Sequence, residues 1–239
     1  MKKLKTLIHL IVLTGLCGGL AAWNQSEPSV FLIGDSISMQ YGPYLEKFLA
    51  GSVTFSRKLD DGQAEKNLDV PVGANGGDSR MVLAYLKIKV KEPGFKPDYL
   101  VLNCGLHDIK HNVPEGKIQV NETEYRQNLL GIMAVLREKN IGLIWISTTA
   151  VVDSIHNKKS NSMKRYAADV ETYNKIADEL FNDNHVPIVD LFSFTQKLGV
   201  EQFIDHVHYN EQTRAMQGAY LAGFIQSHFG LEHKGKGHR

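Results

Sequence analysis

The chain has 239 residues, of which 43% are apolar and 22% are charged, and its 27 basic residues nearly balance its 26 acidic ones. This length and apolar content suit one α/β domain of ordinary size, or two small ones, with a real hydrophobic core. A formal net charge of +1 excludes both the basic field of a nucleic-acid coat and an acidic disordered tail. Two cysteines without a C-x-x-C pair exclude a disulfide framework and argue against a zinc ribbon.

Residues 1–22 have the pattern of a secretory signal peptide. Three lysines precede an apolar run at 7–16, and small residues follow that run. The run has about half of the roughly twenty residues that a bilayer-spanning helix needs, so an uncleaved membrane anchor is the alternative we favour less. We predict an exported protein, periplasmic or extracellular, with cleavage after Ala22, no stable membrane insertion afterwards, and a mature chain over 23–239.

After residue 23, short apolar runs alternate with longer amphipathic stretches. The patterns predict strands at 30–33, 53–55, 99–103, 141–147 and 186–191, and helices near 39–49, 79–90, 122–139, 167–182 and 211–228. Continuous apolar strands separated by helices indicate a parallel sheet that is covered on both faces. Because no linker interrupts the alternation, we predict a single domain with an α/β fold, a three-layer α/β/α sandwich around about five parallel strands.

The ligand crevice of such an open sheet lies outside the carboxyl ends of its strands. Gly34-Asp35-Ser36 follows the first predicted strand and precedes a helical pattern. A serine at this turn can present its hydroxyl at the edge of the sheet, with its own N–H free at the start of the helix. Taken alone, however, such a triplet more often marks a helix N-cap.

A second Gly-Asp-Ser triplet occurs at 77–79, after the glycine-rich loop 73–77. Because this triplet opens a helix, Ser79 is predicted to cap it. Glycine leaves the backbone N–H groups uncovered, so the amides of the loop could point into the crevice. A flexible turn is an equally good interpretation of the loop by itself.

Asp205 and His208 lie just before the last predicted helix. A histidine can act as a general base when a carboxylate fixes its tautomer through the other ring nitrogen. Residues three apart on one turn can form that pair, although an isolated Asp/His cluster is more often a polar loop.

The joint pattern resembles the SGNH, or GDSL, hydrolase superfamily over nearly the whole mature chain. Its parts are the early G-D-S, the glycine loop, a G-x-x-D at 105–108 and the late D-x-x-H. The resemblance implies a flavodoxin-like fold and a serine esterase that forms an acyl-enzyme without a metal or organic cofactor. It implies that Ser36 is the nucleophile, His208 the base and Asp205 its orienting carboxylate. The implied partner is a small-molecule or polysaccharide ester, and no nucleic acid.

The implied oxyanion hole contains the N–H groups of Ser36 and Gly77, and at its third position the chain departs from the family. The family's block reads Gly-x-Asn-Asp, whereas here His107 replaces the asparagine. A neutral imidazole still carries one N–H, so His107 can donate to an oxyanion. The alternative is an inactivated site and a non-catalytic, carbohydrate-binding protein. Asn103, as a strand residue, is predicted to point elsewhere.

A metal site is the rival class of function. His107 and His111 are spaced as in H-E-x-x-H with Asp in place of Glu, and His206 and His208 offer further ligands. That motif needs a helix to bring both histidines to one face. The stretch follows a strand and soon meets Pro114, so we predict no metal.

The substrate is the least determined feature. Residues 153–165 are polar and basic and are predicted to form a solvated loop, or else to rim the crevice against a polar or anionic substrate. The sequence shows no long apolar lid, which favours an O-acetyl esterase acting on carbohydrate. A lipase or thioesterase acting on acyl chains is the alternative, and the sequence leaves the oligomeric state open.

Overall fold

The computed structural model describes residues 27–160 and 163–231, so the predicted signal peptide lies outside the described residues. In chain order the strands are β1 (Ser29–Ile33), β2 (Thr54–Arg57), β3 (Tyr99–Leu102), β4 (His111–Asn112), β5 (Gly142–Ile146), β6 (Met163–Lys164) and β7 (Ile188–Val189). Five of them form one parallel sheet in the order β2-β1-β3-β5-β7, while β4 and β6 pair as a separate antiparallel ribbon. The predicted five-stranded parallel sheet is therefore confirmed.

Helices cover the sheet on both faces. They are α1 (Ser36–Leu49), α2 (Ser79–Lys89), α3 (Glu122–Glu138), α4 (Asp153–Lys159), α5 (Ala167–Asp183), α6 (Leu191–Gln196) and α7 (Glu211–His228), with 3-10 turns at Ala64–Lys66 and Val200–Gln202. Helices α1 and α7 pack against each other, and α2, α3 and α5 pack in a row. The result is the predicted three-layer sandwich.

The central strands are apolar along their whole length because both faces are covered. Val30 in β1, Leu100 in β3 and Trp145 in β5 are fully buried. Each such side chain contributes roughly 1.5–3 kcal/mol on burial, so the three central strands form a rigid platform. The loops that follow these strands are held at fixed positions along one edge.

Two element boundaries differ from the prediction for local reasons. The last strand has only two residues: Pro187 before it has no N–H to donate, and Asp190 after it accepts the Ser193 N–H at 2.9 Å to cap α6. Helix α1 begins at Ser36, three residues earlier than predicted, because Asp35 accepts the Ile37 N–H at 2.9 Å and acts as its N-cap.

The segment 153–165 is not the predicted solvated loop. It forms α4, and its last part pairs through β6 with β4. His156 and Arg165 are buried, at 0% and 2% exposure. Its polar composition therefore serves internal hydrogen bonds rather than contact with water alone.

Within residues 27–160 and 163–231, no helix combines the length and the apolar character needed to cross a bilayer.

Candidate active site

The turn after β1 places Ser36 at the carboxyl edge of the sheet. Asp35 is the N-cap of α1, so Ser36 is the first helical residue and not the cap. The N–H groups of a first helical turn have no intrahelical acceptor, which leaves the Ser36 N–H free to donate. Ser38 hydrogen bonds through its hydroxyl to the Asp35 carbonyl at 2.7 Å and braces the same turn.

The side chains of the predicted triad, Ser36, His208 and Asp205, form one hydrogen-bonded row. His208 Nε2 is 2.8 Å from Ser36 Oγ, and His208 Nδ1 is 2.7 Å from Asp205 Oδ2. The row joins the β1–α1 turn to the segment before α7, although the two are 172 positions apart. It can move a proton from the serine hydroxyl to the imidazole while the carboxylate holds the ring.

Asp205 is held ionised. Its partial burial raises the pKa of the carboxyl, but the hydrogen bond from the His208 ring and those from the backbone amides of His208 and Val207 outweigh burial. The pKa of Asp205 therefore lies well below its usual range. A carboxylate so fixed orients the imidazole and balances the charge that the ring gains on protonation.

The glycine-rich loop contacts the nucleophile turn, but the amides of Gly76 and Gly77 are already hydrogen bonded. Gly76 donates its N–H to the Gly34 carbonyl at 2.7 Å, which brings the loop against the turn. The Gly77 N–H, predicted to face an oxyanion, donates instead to Asn75 Oδ1 at 3.0 Å. For Gly77 to serve an oxyanion, this bond must be shared or exchanged.

The second Gly-Asp-Ser triplet has a structural role. Asp78, not Ser79, is the N-cap of α2 and accepts the Met81 N–H at 3.1 Å, which corrects the prediction for Ser79. Ser79 donates its N–H to both carboxylate oxygens of Asp108, at 2.9 and 3.1 Å. Burial raises the pKa of Asp108 to about 8, against the effect of those bonds. Asp108 thereby ties the loop after β3 to the start of α2.

His107 lies in the loop after β3, beside the nucleophile turn because β1 and β3 are neighbours in the sheet. Its side chain is buried, and Nδ1 has no hydrogen-bond partner in the described part of the chain. Burial, followed by the charges of Arg165 and Lys110, lowers its pKa to about 3. The ring is therefore neutral at ordinary pH. It carries one N–H, which can donate to a new acceptor.

Asn103 does not take the place of the missing asparagine. Asn103 directly follows β3 rather than lying within it, and its side-chain amide donates to the Ile146 carbonyl at the end of β5, at 2.9 Å. The side-chain amide of Asn103 is thus already hydrogen bonded, whereas Nδ1 of the His107 ring has no partner in the described part of the chain.

The rival metal motif does not assemble as a helix. His107 lies in a turn and His111 in β4, where its ring contacts Asp169 at 2.8 Å. Ligand atoms of Asp205, His206 and His208 do lie within 4.8 Å of one another. Asp205 and His208 already hydrogen bond to each other, however, and His206 pairs with Asp69 at 3.0 Å.

The architecture is shared with known hydrolases. Residues 30–221 match the family model described as GDSL-like lipase/acylhydrolase. The chain belongs to this family. It is thus a GDSL hydrolase, an enzyme of the carboxylic ester hydrolase class, in agreement with the resemblance of its motifs.

Solved structures share the fold of this GDSL hydrolase at low sequence identity. A lipase/acylhydrolase from Enterococcus faecalis is 19% identical, with a TM-score of 0.62 over 84% of this chain and 96% of that one. The acetyl xylan esterase AlAXEase is 17% identical, with a TM-score of 0.60 over 82% and 99%. The psychrotrophic esterase EstA from Pseudoalteromonas sp. is 12% identical, with a TM-score of 0.58 over 84% and 98%. No curated protein matches the sequence.

Arg165 is a residue of this region that sequence patterns do not reveal. It follows β6 and is buried, and its Nε donates to the Leu106 carbonyl at 2.6 Å. In the sequence it is one of several basic residues in a polar stretch. No motif or spacing separates it from its neighbours, because its burial depends on a contact with the loop after β3 that forms only in the folded chain.

Gly105 of the GDSL hydrolase has no room for a side chain. A Cβ at this position would lie 2.1 Å from Thr148 Oγ1, and Thr148 is itself bound to the Cys104 carbonyl at 3.1 Å. We expect Gly105→Ala to lower the free energy of unfolding by about 1–3 kcal/mol, since the buried neighbour must move. Urea unfolding measures the change. Gly223→Ala, where nothing lies within 4 Å, is the control and should be neutral or stabilising; equal stability of Gly105→Ala and wild type would contradict the prediction.

The buried His107 also makes stability depend on pH. An unfolded histidine has a pKa of about 6.5, whereas His107 in the fold has a pKa of about 3. Between these values only the unfolded chain binds the proton, so acidification favours unfolding by about 1.4 kcal/mol per pH unit. The quantity to measure is the free energy of unfolding of His107→Asn minus that of wild type. We expect this difference to be constant above pH 6.5 and to rise by about 1.4 kcal/mol per pH unit as the pH falls below 6.5. A difference that is flat throughout would contradict the buried, neutral ring.

Proposed function

We propose that the chain is an O-acetyl esterase acting on carbohydrate, with Ser36 as nucleophile, His208 as base and Asp205 as its orienting carboxylate. The observation that supports the serine mechanism is the row of two short hydrogen bonds, 2.8 Å from Ser36 Oγ to His208 Nε2 and 2.7 Å from His208 Nδ1 to Asp205 Oδ2. Such a row activates a hydroxyl that is otherwise a weak nucleophile at neutral pH.

The reaction proceeds in two matched halves. Ser36 Oγ attacks the ester carbonyl carbon while His208 Nε2 takes its proton, giving a tetrahedral oxyanion. The carbon–oxygen bond to the alcohol then breaks, and the alcohol leaves with the proton from His208. Water repeats the sequence on the acyl-enzyme and releases the carboxylic acid. No cofactor is needed for either half.

The oxyanion is stabilised by three donors in this proposal. The Ser36 N–H lies in the first turn of α1, where no helical acceptor reaches it. The neutral ring of His107 supplies the second donor in place of the family's asparagine. The third is the Gly77 N–H, which must leave Asn75 Oδ1; a charged oxygen is a stronger acceptor than a neutral amide oxygen and can take over the bond.

Turnover of an aryl acetate tests the catalytic assignment. We expect steady hydrolysis of 4-nitrophenyl acetate that a chelator does not affect. Activity should be lost on treatment with a 4-nitrophenyl alkylphosphonate, which releases 4-nitrophenolate as its phosphorus bonds to the nucleophile. Peptide mass analysis should place the phosphonyl group on Ser36. Absence of turnover would favour the non-catalytic alternative, and a label on any other residue would reject Ser36 as the nucleophile.

The preference for acetyl groups is supported by a structural neighbour and by the sequence. The AlAXEase structure, described as an acetyl xylan esterase, has the same fold, although at 17% identity. After β5 the chain continues with the polar residues Ser147, Thr148 and Thr149 rather than with a long apolar lid, which favours a short acyl group over a long chain.

A substrate panel separates the acyl-chain alternatives. We expect the highest kcat/KM on acetylated xylo-oligosaccharides and, among 4-nitrophenyl esters, a fall with each lengthening beyond acetyl. A kcat/KM that rises with chain length would favour a lipase, and a preference for acyl thioesters would favour a thioesterase. Either outcome rejects the acetyl preference while leaving the serine mechanism intact.

We further propose that the protein is exported, on the pattern of residues 1–22. Expression of the full chain in a bacterium, followed by N-terminal sequencing of the protein outside the cytoplasm, should find Trp23 as the first residue. An intact N-terminus retained in the membrane fraction would support the anchor instead.

A further inference from the structure

Arg165 contacts the loop after β3 directly and the loop of the base indirectly, through His156. Its side chain is 2% exposed. Its Nε donates to the Leu106 carbonyl at 2.6 Å, and its Nη1 lies 2.9 Å from His156 Nε2. A guanidinium can only donate, so His156 Nε2 must accept and the ring proton of His156 is on Nδ1. One side chain thus fixes a backbone carbonyl and a histidine tautomer.

The two partners of Arg165 lead to different halves of the catalytic machinery. Leu106 immediately precedes His107, the proposed oxyanion donor. His156 packs edge-on against His206, with ring centroids 4.7 Å apart and an interplanar angle of 88°. His206 in turn packs edge-on against His208, with centroids 5.8 Å apart. Arg165 therefore connects the loop after β3, through His156 and His206, with the loop that carries the base.

Stability alone does not explain a cation at this position. Among the described residues, no carboxylate oxygen comes within 4.0 Å of the guanidinium, although Asp35 and Asp69 are near enough to interact electrostatically. Burying a charge without a contacting counter-ion is costly, and apolar residues of similar volume often fill such sites at no loss of stability. The rigid fork of the guanidinium is what an apolar residue lacks.

We propose that Arg165 is a positioning residue that sets the distance between the His107 loop and the His208 loop, so that the oxyanion donors and the base act on the same carbonyl group. This inference rests on the proposed serine esterase function. Its consequence is specific: loss of the guanidinium misplaces groups that act in the transition state, so kcat falls and KM changes little.

Arg165→Ala and Arg165→Lys test the positioning role. We expect kcat for 4-nitrophenyl acetate to fall about a hundredfold in Arg165→Ala, with KM within about threefold of wild type. Arg165→Lys should recover little of the activity, since an ammonium group does not reproduce the fork geometry. Millimolar guanidinium should restore activity to Arg165→Ala, whereas ammonium at the same concentration should not. Arg126→Ala is the matched control, because Arg126 pairs with Glu179 on the exposed surface, and it should keep full activity.

His156 provides a second route if Arg165→Ala does not fold. His156→Gln retains an acceptor for the guanidinium but not the ring that packs on His206, and should keep clearly more activity than His156→Leu, which removes both. Equal activities of the two His156 variants, or a kcat in Arg165→Ala that is unchanged or insensitive to guanidinium, would overturn the proposal.

A spectroscopic measurement separates this inference from the proposed function. The proton between His208 Nδ1 and Asp205 should give a low-field proton NMR signal in the wild-type protein. We expect that signal to shift or broaden in Arg165→Ala, to return with guanidinium, and to be unchanged in Arg126→Ala. If wild type hydrolyses no ester but the signal responds in this way, the function fails and the positioning role stands. A signal that does not respond, in an enzyme that hydrolyses esters, rejects the positioning role alone.

Discussion

Ser36→Ala is expected to lower kcat for ester hydrolysis by about a millionfold, the loss typical of a serine nucleophile whose base and oxyanion donors remain. The fold should be unaffected, because the substitution removes only the hydroxyl and Asp35 continues to cap α1. Hydrolysis of 4-nitrophenyl acetate measures the loss, and circular dichroism with thermal unfolding shows that the structure is retained.

The serine of the second Gly-Asp-Ser triplet is the matched control. The Ser79 hydroxyl accepts one hydrogen bond from Asn128 at 2.9 Å and belongs to the α2 start rather than to the row with His208. Ser79→Ala should therefore stay within about tenfold of wild type, the effect of one lost neutral hydrogen bond. If Ser79→Ala were inactive and Ser36→Ala active, the nucleophile would have been assigned to the wrong triplet.

His107→Ala is expected to lower kcat by about 10²–10³-fold, the usual effect of removing one side-chain donor from an oxyanion hole. His107→Asn should restore activity to within about tenfold of wild type, because an amide N–H can reach from the same backbone position. KM should change little in either variant, since the donor acts mainly when the carbonyl oxygen becomes charged.

Steady-state kinetics of the two His107 variants between pH 6 and 8 test whether His107 donates to the oxyanion. In this range the ring of the wild-type enzyme is neutral, so the comparison is not affected by its protonation. Full activity of His107→Ala would remove His107 from the oxyanion hole. Failure of His107→Asn, with His107→Ala equally impaired, would mean that the imidazole does something an amide cannot.

Much of the fold follows from local pattern. Central strands such as β3 and β5 are continuous apolar runs, and such runs form when both faces of a strand are covered. Helices α1, α3 and α5 show the apolar spacing that a sheet requires of its covering layer. The edge strand β7 is shorter than its apolar run because Pro187 and Asp190 interrupt the pairing on either side.

The sequence predicts only those residues of the candidate site that belong to a recognisable motif at a characteristic position in the chain. Ser36 is the first residue of α1, Asp205 and His208 form a D-x-x-H pattern in the segment before α7, and the structure brings the three side chains together. Local pattern predicts neither the bond from Gly77 to Asn75 nor the burial of Arg165. Both depend on which side chain of a folded loop reaches which amide or carbonyl, and this is determined by packing between segments distant in the chain.

Because the Gly77 N–H is already bonded to Asn75 Oδ1, the proposed oxyanion hole distinguishes an anionic oxygen from a neutral carbonyl oxygen. An ester carbonyl in the ground state carries only a partial negative charge and competes poorly with Asn75 Oδ1 for that N–H. Exchange becomes favourable only when the oxygen is fully anionic. This donor therefore lowers the activation barrier and adds little to the affinity for substrate. An uncharged ester should therefore bind without disturbing the loop, whereas a tetrahedral, anionic analogue should draw Gly77 away from its resting partner.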